Sequence, residues 1–431
     1  MSVDRPVTFR DVFAVSEYRA VYLALIASWI GDYLARAAVT VLVFQRTDSV
    51  LLSAAAFATS YLPWLLFGPL LAALAERHSY RSAMVLGDLA RTALILILVI
   101  PGVPWPAILA VLFAVTLAGV PIQAARSALM PLMLGRSRMA VAMAANATTI
   151  QAAQVAGYLV GATVAAAANP RLAMGIVALL FVTSALLVAG GVRHRPPAVP
   201  EGQRTHLVKE SAEGFRLVFG SRMLRSIALL AFSISAFSIV PEGLAAAWAA
   251  QSDPGSVSRG LGQGMIMAAG PVGFVIGGLI TGRLITQATR HRLIRPLAVL
   301  APLMLIPAVT SPPVPIVVVL TLLSGAAMGG LIPTLNTQFV LCLPHGYRAR
   351  AFGVMQQGLQ VAQGGAVLLT GVLADHAPVP VVVGLWSVAG AGLMLAQAYR
   401  WPGAGSQVET AAEPPAPARP RLREAAGTID G

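Results

Sequence analysis

Long apolar runs alternate with short breaks of charged residues, proline and glycine along almost the whole chain. A bilayer core about 30 Å thick needs roughly 20 mostly apolar residues for each helix that spans it. The pattern therefore predicts an all-α membrane protein with twelve transmembrane helices. They are predicted at residues 17–44, 49–75, 82–101, 104–123, 138–167, 171–192, 224–250, 257–282, 294–310, 313–337, 350–373 and 379–399.

A longer polar segment separates the sixth predicted helix from the seventh and divides the chain into two six-helix halves. The second part of this segment has helical spacing, with one face predicted to carry Leu207, Phe215, Leu217 and Val218. The end of the chain is rich in proline and alanine, and we expect it to be disordered. The predicted divisions are residues 1–192 for the N-terminal half, 193–223 for a linker, 224–401 for the C-terminal half and 402–431 for the tail.

The composition agrees with a lipid environment. Hydrophobic residues make up 57% of the 431 residues and charged residues 11%, with a mean hydropathy of +0.76; soluble domains are roughly 45–50% apolar. The formal net charge is +13, but the basic residues punctuate apolar runs instead of clustering, which argues against nucleic-acid binding. The single cysteine, Cys342, excludes an intramolecular disulfide and a cysteine-based metal site.

Basic residues are distributed unevenly between the predicted loops. Eighteen of them lie in or beside the even-numbered loops, which include the linker, and three, Arg46, Arg171 and Arg259, lie in the odd-numbered loops. Cytoplasmic loops of membrane proteins carry an excess of lysine and arginine. The asymmetry predicts that both chain termini and the linker are cytoplasmic.

The two halves resemble one another where the fifth and eleventh predicted helices begin. The segments are "GRSRMAVAMAANATTIQ" and "GYRARAFGVMQQGLQVAQ". Their aligned residues are Arg138 with Arg350, Met143 with Met355 and Gln151 with Gln363. Many secondary transporters are built from repeats of this kind, with a central binding site between two halves that rock around it. The similarity of the two segments therefore predicts pseudo-symmetric halves.

The first predicted helix carries an acid and a base inside the apolar run "WIGDYLARAAVTV". Ser28, Asp32, Arg36 and Thr40 recur at every fourth position and form one polar stripe, which we expect to face a central cavity. A charge at the centre of a membrane helix costs about 2.5–3.5 kcal/mol. One interpretation is a structural salt bridge between Asp32 and Arg36. The interpretation we favour is a protonatable Asp32 that couples transport to protons, with Arg36 as its conformation-dependent partner.

Uncharged polar residues mark one face of two other predicted helices. These sets are Gln151, Gln154 and Tyr158 on the fifth helix and Gln356, Gln360 and Gln363 on the eleventh. Side-chain amides both donate and accept hydrogen bonds, so these residues are candidates for a cargo cavity or, alternatively, for hydrogen bonds that hold helices together. Glu242, directly after Pro241, is either a second protonation site or an acid at the outer membrane interface; the sequence slightly favours the interface.

The segment "GPLLAALAERHSYRSAM" after the second predicted helix resembles the signature Gly-x-Leu-Ala-Asp-Arg-x-Gly-Arg-Arg of the major facilitator superfamily. The segments "GDYLARAAVTVLVFQRTDS" and "AARSALMPLML" are similar to the bacterial branch that includes enterobactin and macrolide exporters. Glu76, Arg77 and Arg81 occupy charged positions of the signature. The resemblance implies that these three residues and Asp88 and Arg91 form a cytoplasmic network that latches the outward-facing state, or else have a static role.

Other chemistry has no support in the sequence. The chain lacks a Gly-x-x-x-x-Gly-Lys-Ser/Thr loop for ATP, and its six histidines lack a metal-ligand spacing. We therefore predict no enzyme activity, no cofactor and no metal. The sequence and the resemblance together predict a monomeric transporter of a bacterial inner membrane that exports a small amphipathic molecule, such as a drug, siderophore or secondary metabolite, in exchange for protons. The alternatives are an importer or uniporter of the same fold, or a receptor or scaffold that transports nothing.

Overall fold

The structure is a computed structural model that describes residues 8–64, 66, 67, 79–195, 207–252, 255–343 and 348–401. The regular secondary structure of these residues consists of α-helices and one short 3₁₀ helix, Ile306–Thr310. In chain order the α-helices are α1 (Phe9–Phe13), α2 (Ser16–Thr47), α3 (Val50–Thr59), α4 (Tyr80–Val99), α5 (Trp105–Gly135), α6 (Ser137–Ala167), α7 (Pro170–Gly191), α8 (Leu207–Gly220), α9 (Arg222–Ser238), α10 (Val240–Ser252), α11 (Ser256–Leu284), α12 (Gln287–Leu303), α13 (Val314–Leu341), α14 (Arg348–Ala374) and α15 (Val379–Arg400).

Ten helical segments of the described residues are long and apolar enough to cross a membrane. α9 and α10 together form one of them, with a break before Pro241. α3 is described over ten apolar residues, and α14 is 27 residues long but less apolar because of its glutamines. The fold is therefore that of a multi-pass membrane protein, whereas the count of twelve transmembrane helices stays a prediction for the whole chain.

Polar caps define several helix starts. The side chains of Ser49, Ser79 and Asn169 accept hydrogen bonds from backbone N–H groups at the starts of α3, α4 and α7. Such N–H groups have no partner within the helix itself, and serine and asparagine satisfy them well. α2 ends at Thr47, and the cap residue that follows, Asp48, has a φ of 50°, a left-handed conformation that aspartate tolerates better than most residues.

The boundary between α5 and α6 differs from the prediction. The sequence suggested a loop over residues 124–137, but α5 continues to Gly135 and α6 begins at residue 137. Gly135 has a φ of 67°, which residues with a Cβ adopt only with strain. Two prolines, Pro121 and Pro131, lie inside α5. A membrane helix can accommodate proline where neighbouring groups satisfy the freed carbonyls.

Glycines allow very close helix packing within each half. A Cβ on Gly161 of α6 would lie 2.6 Å from the carbonyl oxygen of Leu34 in α2. A Cβ on Gly273 of α11 would lie 2.0 Å from the carbonyl oxygen of Leu322 in α13. Both distances are well below van der Waals contact. The backbones can approach this closely only because these positions lack a side chain.

Successive spanning helices run in opposite directions between two faces of the bundle. We call the face where α2 begins and α15 ends the terminal face, and the opposite face, with the α2–α3 and α14–α15 turns, the far face. At the terminal face Glu17 forms an ion pair with Arg195, just after α7. Its carboxylate accepts hydrogen bonds from the Arg195 guanidinium and thereby raises the pKa of Arg195.

The linker contains a helix, as its spacing predicted. Leu207 begins α8, and Val218 is fully buried in the core of the C-terminal half, with Leu217 partly buried beside it. Phe215 instead is 56% exposed and packs on Phe219, with ring centroids 4.4 Å apart. The predicted apolar face is therefore anchored mainly through the last turn of α8.

Candidate functional site

A cavity of about 430 Å³ lies between the two halves. Amide and aromatic side chains belong to half of its lining residues. The glutamines are Gln123, Gln151, Gln154, Gln356, Gln360 and Gln363, and the aromatic residues are Trp29, Tyr33, Tyr61, Trp64 and Phe274. The charged residues of the wall, in the described part of the chain, are Arg36 and Glu242. The five glutamines predicted from helix periodicity thus all face this cavity.

Three residues that the sequence assigned to the cavity are not part of its wall. Ser28 lies deeper in the N-terminal half, where its hydroxyl accepts a hydrogen bond of 3.0 Å from Arg91. Thr40 is buried and accepts a hydrogen bond of 3.1 Å from Gln263 of α11. Tyr158 is also fully buried. The polar stripe of α2 therefore divides between the cavity and two helix interfaces, because its 3.6-residue period drifts around the helix.

Asp32 and Arg36 do not form the ion pair that the sequence predicted. Asp32 pairs with Arg91 of α4 instead. The Arg36 guanidinium carbon lies 5.3–5.5 Å from the ring centroids of Tyr33, Phe57 and Tyr61, close enough for cation–π attraction. The two residues are one turn apart on α2, but Asp32 turns toward α4 while Arg36 turns into the central cavity.

A buried charge network surrounds Arg91. Besides Asp32, this arginine donates a hydrogen bond of 3.2 Å to Asp88, one turn earlier on α4. The other carboxylate oxygen of Asp88 accepts a hydrogen bond of 2.6 Å from Ser184 of α7. The side chains of Arg91 and Asp88 are 2% and 1% exposed, whereas that of Asp32 is 31% exposed. Asp32 is thus the acid of this network that solvent can reach.

Arg126 of α5 belongs to the same region, although the sequence analysis counted it as a loop residue. It is 5% exposed and lines a small cavity of about 60 Å³ together with Asp32, Arg91 and Gln123. Its guanidinium donates a hydrogen bond of 3.3 Å to Gln123. The signal for its burial was the apolar pattern that continues beyond residue 123, where the predicted helix ended.

The predicted latch is not assembled as one cluster in the described residues. Arg81 donates a hydrogen bond to the backbone carbonyl of Ala189 in α7. Asp88 and Arg91 lie further along α4 and contact Asp32 and Ser184 instead. The expected contact between this pair and Arg81 is therefore corrected, since two to three helical turns separate the residues on α4. Glu76 and Arg77 lie outside the described residues.

Glu242 is not an interfacial acid. It is 8% exposed and lies on the cavity wall. The hydroxyl of Tyr158, on α6 of the other half, donates it a hydrogen bond of 3.2 Å. A Cβ on Gly270 of α11 would lie 3.1 Å from one of its carboxylate oxygens, so this glycine leaves room for the acid. The break between α9 and α10, just before Pro241, turns Glu242 toward the cavity.

The halves contact each other between the cavity and the far face. Gln263 of α11 donates hydrogen bonds to Thr40 and to the carbonyl oxygen of Ala37 on α2, at 3.1 and 3.2 Å. At the far face the Asp375 carboxylate accepts hydrogen bonds from Ser49 and from the backbone N–H of Leu51, at 3.3 and 3.2 Å. Among the described residues, the hydrogen bonds between the halves lie in this region and, at Tyr158 and Glu242, beside the cavity.

Comparison with known proteins gives a family match. Residues 21–250 match the sequence profile of the family described as Major Facilitator Superfamily. No curated protein matches the chain. The structure superposes with a TM-score of 0.68 and 11% identity on a POT family transporter in complex with 5-aminolevulinic acid, covering 88% of this chain and 94% of that chain.

Two further solved structures have the same fold. One is the nucleoside transporter NupG, with a TM-score of 0.67, 11% identity and coverage of 91% of this chain and 99% of that chain. The other is a bacterial homolog of the human lysosomal transporter Spinster in an inward-facing and occupied conformation, with a TM-score of 0.66, 14% identity and coverage of 92% and 94%. At these identities the similarity concerns the fold alone.

Proposed function

The chain belongs to the major facilitator superfamily, and we propose that it exports a small amphipathic molecule in exchange for protons. The observation that carries the proposal is the cavity of about 430 Å³ between the halves, a volume within the range of small-molecule sites. Its aromatic rings suit the apolar part of a cargo, and its amides suit polar groups of varied geometry. The cavity lies where two rocking halves would expose it to each side of the membrane in turn.

Proton coupling is assigned to the network around Arg91. Asp32 is partly exposed and shares Arg91 with the buried Asp88. Protonation of Asp32 would remove one negative charge and still leave Arg91 beside a carboxylate. This matters because a buried charge without a partner is strongly destabilising. The network can thus change its charge during a transport cycle while its buried arginine remains paired.

The remaining charged residues have proposed roles in the same cycle. Glu242 is a second candidate for proton binding, because it joins the two halves through Tyr158. Arg36 faces the cavity and not Asp32, so we assign it to binding of the cargo and not to binding of the proton. Glu76, Arg77 and Arg81 stay candidates for a conformational latch at the terminal face, which the loop charges predict to be cytoplasmic.

Export, as opposed to import, rests on the resemblance of "GDYLARAAVTVLVFQRTDS" and "AARSALMPLML" to the enterobactin and macrolide exporters. The experiment that tests the proposal uses proteoliposomes loaded with naphthalene-2-sulfonate, naphthalene-2-sulfonamide or 2-naphthylmethylammonium. These probes share one ring system and differ in charge. Acidifying the external buffer should accelerate the release of at least one probe relative to protein-free liposomes. Release that ignores the gradient would favour a uniporter, uptake with protons an importer, and no flux of any probe a receptor or scaffold.

A further inference from the structure

The charge of the cargo can be inferred from the hydrogen-bonding state of the cavity wall. Arg36 is the basic residue of this wall among the residues that the structure describes. The ion pairs of that part of the chain involve Arg91 and Arg195, so none of its carboxylates lies within ion-pair distance of Arg36. The three aromatic rings around it hold its guanidinium beside the cavity. A cation is thus fixed in place with its charge uncompensated by direct contact.

The nearest polar groups compensate the charge of Arg36 only at a distance. The Tyr158 hydroxyl interacts with Arg36, but it is a neutral group and its hydrogen bond is donated to Glu242. Glu242 lies on α10 in the opposite half and is not within ion-pair distance of Arg36. The two wall charges attract each other without forming a direct ion pair. The acid has a donor in Tyr158, whereas Arg36 has no directly bound carboxylate among the described residues.

All the unsatisfied atoms of the wall can donate a hydrogen bond, and the nitrogens among them can only donate. Within the described residues, four cavity-lining side chains have a buried nitrogen or oxygen without a hydrogen-bond partner. They are Trp29 Nε1, Arg36 Nε, Ser238 Oγ and Thr321 Oγ1. The two nitrogens can only donate, and the two hydroxyls each have a hydrogen to donate. Buried polar groups normally have partners, so this set indicates a ligand that supplies acceptors.

We propose that Arg36 binds an anionic group of the cargo, and that the substrate class is an aromatic organic anion. Guanidinium groups bind carboxylates, sulfonates and phosphates through paired, charge-assisted hydrogen bonds. Trp29 and Tyr33 stack with ring centroids 5.5 Å apart and an interplanar angle of 23°, which provides a flat apolar surface next to Arg36 for the aromatic part. The assignment rests on the proposed function, because it takes the central cavity as the cargo site.

Calorimetric titration of the purified protein with two matched probes tests this assignment. Naphthalene-2-sulfonate and naphthalene-2-sulfonamide have nearly the same shape, and only the first is charged at neutral pH. The wild-type protein should bind the sulfonate about tenfold or more tightly than the sulfonamide, as expected for hydrogen bonds to a charged group. Arg36→Gln should abolish this preference, and Arg36→Lys should retain part of it because the positive charge remains. Arg259→Gln, an arginine outside the cavity wall, should leave the preference unchanged.

The titration uses no membrane and no gradient, so its result is independent of proton coupling and of direction. Equal affinity for the two probes in the wild-type protein would overturn the assignment, as would a preference that survives in Arg36→Gln. Tighter binding of 2-naphthylmethylammonium than of the sulfonate would also overturn it and would point to Glu242. Failure of the sulfonate to bind at all counts against it in the same way, since the cavity is large enough for the probe.

Discussion

Tyr158 of α6 donates a hydrogen bond of 3.2 Å to Glu242 of α10 and thereby joins the two halves of the bundle beside the cavity. Both side chains are buried, at 0% and 8% exposure. Hydrogen bonds to charged groups are worth about 1.5–3 kcal/mol. The contact therefore stabilises the arrangement in which the halves meet toward the far face.

Tyr158→Phe should shift the protein toward conformations in which the far face opens. The substitution removes the hydroxyl and keeps the ring, so the expected loss is about 1 kcal/mol or more, a roughly fivefold change in the population ratio. Spin labels at Ala168 and Thr310, two exposed far-face positions in opposite halves, would report longer distances in a Cys342→Ser background. Tyr22→Phe is the control, because Tyr22 contacts Thr149 within one half. Equal distance distributions for Tyr158→Phe and wild type would show that the bond does not hold the halves together.

Asp375→Ala should open the far face to a smaller extent. This acid links the α14–α15 turn to the start of α3 through Ser49 and Leu51, but it is exposed, and exposed polar contacts contribute little. The same label pair should show a minor shift in the same direction. His376→Ala serves as the control, since this neighbouring ring contacts the carbonyl oxygen of Val372 in its own helix. A larger effect from His376→Ala than from Asp375→Ala would contradict the inference that Asp375 helps to hold the halves together at the far face.

Gly277→Ala should destabilise the C-terminal half. Its Cβ would lie 1.9 Å from the carbonyl oxygen of Ala326 in α13, and the two backbones would have to separate. Overpacking of this kind costs about 1–3 kcal/mol, so the melting temperature of the purified protein should fall by several degrees. Gly282→Ala, on the same helix with no atom within 4 Å of the added Cβ, should leave it nearly unchanged. Equal melting temperatures for the two variants would mean that α11 and α13 are not packed this closely.

Helix periodicity was sufficient to predict most spans and the glutamine faces of α6 and α14. Residues on one helix face point in the same direction, so Gln151 could be grouped with Gln154, and Gln360 with its neighbouring glutamines, without knowing the fold. The same argument underlies the helix found in the linker. It worked because each inference concerned residues of a single helix.

The partners of the buried charges could not be predicted in this way. Asp32 and Arg36 are neighbours on α2, and periodicity alone suggested that they pair; the competing Arg91 comes from another helix, 59 residues later. The position of Glu242 in its apolar run suggested the outer membrane interface. Its actual partner, Tyr158, belongs to the other half and could not be predicted from that run. Arg126 was missed because the predicted helix ended at residue 123, whereas α5 continues to Gly135.

Asp32→Asn should uncouple transport from the proton gradient while leaving the protein folded. The substitution imitates the protonated acid, and Arg91 keeps Asp88 and Ser28 as hydrogen-bond acceptors. Asp88→Asn is the informative contrast. Asp88 is fully buried and binds both Arg91 and Ser184, so loss of its charge should lower the melting temperature, since breaking a buried ion pair costs about 3–5 kcal/mol.

Probe exchange and proton-driven release can be measured separately in proteoliposomes that contain naphthalene-2-sulfonate. Asp32→Asn should exchange internal for external probe at a rate close to wild type when no gradient is present, because exchange requires only that the halves rock around the loaded cavity. Its release driven by an acidic external buffer should fall to the level of protein-free liposomes, because the network can no longer change its charge. Full gradient-driven release in Asp32→Asn would mean that Asp32 is only a structural member of the Arg91 network, and proton coupling would then have to pass through Glu242.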